Sequence, residues 1–208
     1  MERALTTMLD MQDRMNTRIH SEWIDQDFAW YRALWIECGE LLEHYGYKWW
    51  KAHQPDLQQV RLEVVDIWHF GLSALFRPGL STATIAASVA DELADFSPVG
   101  LGVREATEAL ALHALQTRSF SPSRFWELLQ AAQMDFEELY TAYVGKNVLN
   151  FFRQDHGYQT GGYQKQWHGR EDNEHLVEVV ASLDTGAADF AEQVYAGLAA
   201  RYPRLESA

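Results

Sequence analysis

Apolar residues recur every three or four positions along most of this chain, and few segments alternate strictly between apolar and polar residues. The first spacing is typical of amphipathic α-helices and the second of strands, so the sequence predicts an all-α fold. Glycine and proline mark breaks between the helices, for instance at Gly46, Pro78 and Pro98. The predicted helices cover residues 3–17, 28–45, 57–76, 81–94, 103–116, 122–150 and 173–200.

One segment in the C-terminal third departs from this pattern. Residues 153–173, "RQDHGYQTGGYQKQWHGREDN", contain four glycines and few aliphatic residues. Loops of more than about 12–15 residues without structure of their own are usually functional or disordered. Tyr158, Tyr163, Lys165 and Trp167 favour the first option. We therefore predict a flexible Gly-rich loop (residues 153–173) that closes over a ligand.

The composition is that of a folded globular protein. The chain has 208 residues, of which 47% are hydrophobic, and this is enough for one core, so a single domain over residues 1–208 is expected. No apolar run reaches the roughly 20 residues that span a bilayer, and the first residues are too charged for a secretory signal. A single cysteine, Cys38, excludes an internal disulfide. We expect a cytoplasmic protein that does not bind a membrane.

The net charge of −13 limits the ligands that the protein can bind. A nucleic-acid groove needs clustered Lys and Arg that displace counterions from the phosphate backbone, so no nucleic-acid polymer is expected as a partner. A small polyanion can still bind if a divalent cation bridges it to acidic residues. The charge therefore leaves nucleotide chemistry open.

Two pairs of carboxylates carry the most chemical information. Glu37 and Glu40 lie in "WIECGELLEH", and Glu63 and Asp66 lie in "RLEVVDIWHF". Residues three apart share a helix face, so the two acids of each pair point in a similar direction. The pairs lie at similar depths, roughly 8 and 10 Å, on either side of the connection between their helices. In an antiparallel hairpin they would face one another.

Aromatic and aliphatic neighbours indicate that these acids are buried rather than on a solvated face where Lys and Arg would pair with them. Buried carboxylates cannot all stay ionised without a partner, and a divalent cation with oxygen ligands resolves the conflict. A di-iron site is the other candidate, because His69 follows Asp66 and His175 follows Asp172 by one turn. Neither acid is the glutamate of the usual di-iron motif, so magnesium or manganese is preferred.

The pairs in "ECGEL" and "EVVDIWHF", the intervening "YKWWK" and the run "GKNVLNFFRQDHGYQTGGYQKQWHGREDN" resemble the motifs of the dimeric all-α dUTP pyrophosphatases (dUTPases). These enzymes belong to the all-α NTP pyrophosphatase superfamily. The resemblance covers about residues 8 to 175, whereas residues 80 to 125 and the tail after about 180 match only in being helical. Gln159 stands where several relatives carry a basic residue, which argues against a phosphate contact there.

The resemblance implies a helical bundle of that superfamily's type and the hydrolysis of dUTP to dUMP and pyrophosphate by a homodimer. It also implies magnesium, with manganese as a possible substitute, on Glu37, Glu40, Glu63 and Asp66. Metal ions neutralise the triphosphate and lower the pKa of a bound water, while a carboxylate that is not fully occupied by metal takes the water's proton. Glu37 or Glu40 is the expected general base, and the sequence does not decide between them.

The resemblance also implies how the nucleoside is recognised. Uracil presents an N–H between two carbonyl groups, and a side-chain amide offers both a donor and an acceptor. Gln12 and Asn16 are four residues apart on one helix face, so we expect them to bind uracil. Trp49 and His69 are expected to form walls of the nucleoside pocket. Phe70 is a further candidate for such a wall, but a core position is the preferred interpretation.

A polar stripe leads into the Gly-rich loop and is expected to contact the rest of the nucleotide. Lys146, Asn150 and Arg153 follow an i, i+4, i+7 pattern and so share one helix face. The expected phosphate ligands are Lys146, Arg153, Tyr158 and Lys165, and the expected contacts to base or sugar are Asn147 and Asn150, with Asn173 as a similar candidate.

Two other functions remain open from the sequence. The first keeps the chemistry but widens the substrates to dUDP or other nucleoside triphosphates. The second is a metal-stabilised helical interaction module without turnover.

Overall fold

The computed structural model of the chain describes residues 1–187 and 189–203. The chain divides into two compact units, residues 1–140 and 141–208. Apart from one two-stranded pair, the regular structure of the described residues is helical, which confirms the predicted all-α fold. None of the described helices is both long and apolar enough to cross a membrane. The single domain inferred from composition stays a prediction.

The first unit is built around two long helices that carry the carboxylate pairs. The second of its helices packs along the third and also against the fifth, while the first helix packs against the fourth and third. A short 3₁₀ turn covers Trp23–Gln26. The helices of this unit are α1 (Glu2–Ile19), α2 (Trp30–Tyr45), α3 (Leu57–Leu75), α4 (Thr82–Asp95), α5 (Val103–Thr117), α6 (Pro122–Ala131) and the start of α7 (Phe136–Asp155).

Local sequence signals explain where these helices begin and end. The side chains of Asp56, Ser81 and Ser121 each accept a hydrogen bond from a backbone N–H in the first turn of α3, α4 and α6. Such N-caps satisfy amide groups that have no partner within the helix. Gly46 follows the last residue of α2 with a φ of 93°, a conformation that glycine adopts without strain. The caps therefore fix the lengths of α2 and α3.

The core of the first unit is apolar and aromatic, and it holds α3 in place. Trp68 is buried, and its ring stacks on Phe125 of α6 with 4.6 Å between ring centroids. Gly71 lies against Phe120, and a Cβ atom at residue 71 would come within 2.7 Å of that ring. Alanine at position 71 would therefore displace the aromatic ring, so a glycine is needed for α3 to pack this closely.

Two of the predicted helices are wrong in their extent. The predicted helix over residues 122–150 is interrupted before α7, where Asp135 and Glu138 exchange side-chain hydrogen bonds to each other's backbone N–H. This capping box starts a new helix. The predicted helix over 173–200 is likewise two helices, α8 (Asp172–Ala181) and α9 (Phe190–Arg201).

The second unit contains the rest of α7, then α8 packed on α9, and a small hairpin. Strands β1 (Gln166–Trp167) and β2 (Arg170–Glu171) pair in antiparallel fashion. The Gly-rich loop is thus not without structure, because α7 and α8 occupy its two ends and a 3₁₀ turn covers Tyr158–Thr160. The prediction overlooked aromatic residues as core formers, since the ring of Trp167 is fully buried near Phe152, with 5.7 Å between ring centroids.

Candidate metal centre and nucleotide site

Three of the four predicted ligands converge in the first unit. One carboxylate oxygen from each of Glu37, Glu63 and Asp66 lies within 4.8 Å of the others, and we call this group the three-carboxylate cluster. Its position follows from the sequence, since α3 carries two of the acids one turn apart and packs along α2, which carries the third. Glu63 is buried and the other two are half-buried. Three acids in this position can serve as ligands of one cation.

Glu40, the fourth predicted ligand, does not belong to this group. Its side chain is exposed, and it lies on the face of α2 that also exposes Ile36, Gly39 and Glu43. The negative charge of Glu40 nevertheless contributes to raising the pKa of Glu37. Glu40 therefore lies beside the cluster, with its carboxylate open to solvent.

Burial and the neighbouring negative charges favour the protonated form of one acid of the cluster, Glu37. Burial raises the pKa of Glu37 from 4.5 to about 8, and the negative charges of Asp66, Glu63 and Glu40 add to this effect. Without a cation, Glu37 therefore holds a proton at neutral pH. The only donor atoms of the cluster are carboxylate oxygens, which suit a hard divalent cation such as magnesium or manganese.

Cys38 is buried beside this site and does not act in it. Burial and the nearby charge of Glu37 raise the pKa of its thiol to about 12. The thiolate, which is the reactive form of cysteine, is therefore suppressed at physiological pH. Cys38 is therefore a free, buried thiol.

The two amides predicted to bind uracil lie together and are buried. Gln12 Nε2 donates to Asn16 Oδ1 at 3.2 Å, and both side chains also donate to the hydroxyl oxygen of Ser73, each at 3.0 Å. The sequence analysis did not identify Ser73. Its position seven residues after Asp66, on the same face of α3, could have suggested it.

A cavity of about 250 Å³ in the first unit is bordered by Ser73, whereas Gln12 and Asn16 are not among its lining residues. Ser73, which contacts both amides, is part of the wall of this cavity. Aromatic side chains form much of the remaining lining, including Phe28 and Trp30. Ser73 lies about 10 Å along α3 from Asp66. The cavity and the three-carboxylate cluster thus lie along one helix at a distance that a nucleotide can span.

The aromatic residues predicted to enclose the nucleoside have different environments. His69 is buried, and its Nδ1 lies 2.8 Å from the carbonyl oxygen of Val65. Phe70 is half-buried and stacks on Trp30, with 6.3 Å between ring centroids. Trp49 is 90% exposed. A role of Trp49 in the nucleoside wall therefore stays a prediction.

The second unit contains the residues predicted to bind phosphate. Arg153 donates two hydrogen bonds to Asp172, at 2.8 and 2.9 Å, and a third to Asn150 at 3.2 Å. Asp172 is fully buried and also accepts from the hydroxyl of Tyr163 at 2.8 Å. Although burial opposes it, the guanidinium group of Arg153 holds the pKa of Asp172 below its usual value. Arg153 therefore has a structural partner, and its phosphate role stays a prediction.

The remaining predicted ligands of this unit differ in exposure. Lys146 and Asn147 are buried, and the side-chain oxygen of Asn147 has no hydrogen-bond partner among the described residues. Tyr158 is half exposed, and Lys165 pairs with Glu171 at 3.4 Å on the surface. The two exposed side chains, those of Tyr158 and Lys165, belong to the Gly-rich loop.

Asp172 and His175, the second pair of alternative di-iron ligands, are engaged in other contacts. His175 Nε2 lies 2.9 Å from the carbonyl oxygen of Trp167, and its Nδ1 lies 3.2 Å from Arg170. Asp172 is paired with Arg153, as described above. Within the described residues, the three-carboxylate cluster is the group whose acids could hold a metal ion. These contacts favour an oxygen-ligand site over a di-iron site.

Comparison with known proteins assigns the family. No curated protein matches this chain. The sequence model of the dUTPase family matches residues 4–158, which include the three-carboxylate cluster, Glu40 and both buried amides, and end within the Gly-rich loop. Because this match covers well over half of the chain, the protein belongs to the dUTPase family, whose enzymes are dUTP diphosphatases.

Proposed function

We propose that this dUTPase is a magnesium-dependent enzyme that converts dUTP to dUMP and pyrophosphate, and so removes dUTP and supplies dUMP. The observation that carries the metal dependence is the three-carboxylate cluster, in which Glu37 requires either a proton or a cation. Manganese could replace magnesium, because both accept an all-oxygen ligand set. Magnesium would neutralise the triphosphate and lower the pKa of a water molecule.

In this proposal Glu40 is the general base. The other three carboxylates are drawn together as ligands, whereas the exposed Glu40 lies outside the group yet close enough for its charge to act on Glu37. A base must be within reach of the attacking water and must not be fully occupied as a ligand. Glu37, Glu63 and Asp66 would hold the cation, and Glu40 would accept the water's proton.

Base recognition is proposed for Gln12 and Asn16. The buried hydrogen bonds of the two amides to Ser73 support this assignment, because they fix the positions of both side chains. His69, Phe70 and Trp49 would contact the nucleoside. Lys146, Arg153, Tyr158 and Lys165 would contact the phosphates, and Asn147 and Asn150 the base or sugar.

A homodimer is the proposed assembly. Helix α2 leaves Trp35 and Ile36 exposed to 38% and 44%, next to the residues that carry the metal ligands. Large apolar side chains on a helix face are commonly covered by another subunit. Covering this face would also shield the exposed carboxylate of Glu40 from bulk water.

The experiment that tests the function is a substrate panel. Pyrophosphate release should be measured with dUTP, dTTP, dCTP and UTP, and phosphate release with dUDP, each with and without EDTA. Turnover of dUTP that is abolished by EDTA and restored by magnesium is expected. Comparable rates with several nucleotides would indicate the broader substrate range, and an absence of turnover would indicate a non-catalytic module.

A further inference from the structure

The hydrogen-bond direction at Ser73 is fixed by chemistry. Its Oγ lies 3.0 Å from the carbonyl oxygen of His69, which can only accept, so the single hydroxyl hydrogen points there. The same oxygen lies 3.0 Å from the side-chain nitrogens of Gln12 and Asn16. Toward both amides, Ser73 must therefore act as an acceptor.

The hydrogen-bond direction at Ser73 determines the orientation of the side-chain amides of Gln12 and Asn16. The nitrogen and oxygen of a side-chain amide have nearly the same size, so hydrogen bonds decide the orientation. Both amides turn their NH₂ group toward Ser73, and the Gln12 NH₂ group also donates to Asn16 Oδ1 at 3.2 Å. The carbonyl oxygen of Gln12 consequently points away from Ser73. Rotating either amide by 180° would place two acceptors against each other.

We propose that Ser73 is a positioning residue that holds Gln12 and Asn16 in the orientation that favours uracil over cytosine. This inference rests on the proposed function, in which these amides recognise the base. Uracil presents an N–H donor beside a carbonyl group, whereas cytosine presents a ring-nitrogen acceptor beside an amino donor. A side-chain amide in one fixed orientation matches the donor and acceptor pattern of only one of these bases, whereas an amide that can rotate by 180° matches both.

The burial and position of Ser73 support this role. Its side chain is only 1% exposed, so water does not easily replace its hydrogen bonds, and the residue contacts both amides and also borders the cavity. A buried donor or acceptor that loses its partner carries a large penalty. The orientation of the amides is thus strongly maintained in the absence of nucleotide.

The test compares base selectivity in Ser73→Ala, Ser73→Cys and Thr107→Val. Selectivity is the ratio of kcat/KM for dUTP to kcat/KM for dCTP. Ser73→Ala should lower this ratio roughly tenfold, which corresponds to about 1.4 kcal/mol. Ser73→Cys keeps the shape but replaces oxygen with a weak acceptor, and it should lower the ratio in the same direction if the alanine variant does not fold.

Thr107→Val is the matched control. Thr107 is also a fully buried residue whose hydroxyl donates to the carbonyl four residues before it, in this case that of Val103. Its removal should destabilise the protein without changing the selectivity ratio. A merely structural role of Ser73 would give the same result as this control.

A second readout does not depend on turnover. Side-chain amide protons of Gln12 and Asn16, observed by NMR, should exchange with solvent at least roughly tenfold faster in a Ser73 variant, because their acceptor is lost. An unchanged selectivity ratio in a folded variant, or unchanged exchange, would overturn the inference. If the wild-type protein shows no preference for dUTP, the proposed base recognition fails, and the NMR result alone decides whether Ser73 holds the amides.

Discussion

A carboxylate that is partly withdrawn from water and faces other negative charges becomes stable when it gains a proton or a cation. Glu37 is in this position, since burial and the negative charges of its neighbours raise its pKa to about 8. The repulsion that opposes the metal-free state is the same property that favours cation binding. We therefore expect metal affinity and pH dependence to be linked at this residue.

The stability of the metal-free protein should fall as the pH rises from about 4.5 to about 8. The pKa of Glu37 is raised above its unfolded value of 4.5, so over this range the folded protein binds more protons than the unfolded chain. Thermal unfolding in EDTA at a series of pH values measures the effect. Glu37→Gln should flatten the dependence, and an equally steep profile in that variant would assign it to other groups.

Magnesium binding below pH 8 should release a proton from Glu37 for the same reason. Affinity is then expected to rise with pH, by up to about tenfold per unit for one proton. Calorimetry in buffers of different ionisation enthalpy gives the number of protons released. This number should approach zero above pH 9 and in the Glu37→Gln variant.

Removing the charge of one proposed metal ligand should lower the activity but raise the stability of the metal-free protein. We expect Asp66→Asn to lower kcat/KM for dUTP at least about 100-fold, since even residues that support metal ligands contribute 10–100-fold. In EDTA the same variant should melt about 2–4 °C higher than wild type, because the repulsion between the carboxylates of Asp66 and Glu63 is removed. Steady-state kinetics and thermal melting measure the two effects.

Asp91→Asn is the matched control for this experiment. Asp91 is an exposed acid on α4 outside the three-carboxylate cluster, so neither activity nor melting temperature should change appreciably. Retention of full activity by Asp66→Asn would contradict the assignment of this residue as a metal ligand.

The sequence predicted which acids lie close together better than it predicted which way their side chains point. The three-residue spacing of Glu63 and Asp66 identified their common helix face, because that relation is local. The exposure of Glu40 depends on how α2 is rotated about its own axis, which is set by packing against α3 and α5. Ser73 was missed because it acquires its role from two amides 57 and 61 residues earlier in the chain.

Helix boundaries were predicted correctly where they depend on nearby capping residues. They were predicted wrongly where the spacing of apolar residues was the only signal used. Helices α3 and α4 begin after side-chain caps at Asp56 and Ser81, close to the predicted starts. The break before α7 also had a local signal, the capping box of Asp135 and Glu138, but the apolar pattern continues across it. Because the apolar spacing continues across the break, it predicted one continuous helix.

The Gly-rich loop shows a different limit of sequence reasoning. A lack of aliphatic residues predicted that little would hold this segment in place, yet Trp167 forms a buried aromatic cluster with Phe152 and Tyr163. The glycines have a more local role. Gly157 and Gly161 adopt φ values of 83° and 76° around the exposed Tyr158, a conformation that most other residues disfavour.

Hydrogen exchange should therefore divide this loop into two parts. Residues 166–171 should exchange slowly in the free protein because the hairpin surrounds a buried side chain, whereas residues 157–165 should exchange quickly. Magnesium together with a non-hydrolysable dUTP analogue should slow exchange in residues 157–165, and dUMP should have much less effect, since it lacks the outer phosphates.

Lys165 provides the variant for this prediction. Lys165→Ala should reduce the difference between the triphosphate analogue and dUMP, while Lys165→Arg, which keeps the charge, should preserve it. Equal protection by dUMP and the analogue would show that the segment does not respond to the outer phosphates.

The net charge of the protein and the exposed apolar face of α2 bear on substrate binding and on assembly. A net charge of −13 repels a triphosphate at a distance, and the proposed cation would offset this repulsion at the site. The exposed Trp35 and Ile36 of α2 suit burial by a second copy of the chain. In the proposed function, cation binding and dimer assembly would both involve α2.

Ile36→Glu should convert the proposed homodimer to a monomer, because it places a charge in an apolar interface. Sedimentation analysis measures the mass, and circular dichroism should show unchanged helix content. Leu112→Glu is the control, since Leu112 on α5 is 56% exposed and therefore at least as accessible. A wild-type monomer, or a dimer that persists in Ile36→Glu, would contradict this interface.

The buried thiol of Cys38 makes the protein suitable for site-specific labelling. With a pKa of about 12 and no contact with solvent, it should not react with maleimide reagents at neutral pH in the native state. Because the sequence contains no other cysteine, a thiol introduced in the exposed part of the Gly-rich loop would be the single reactive position. A fluorophore attached there could follow nucleotide binding in real time without prior removal of the native cysteine.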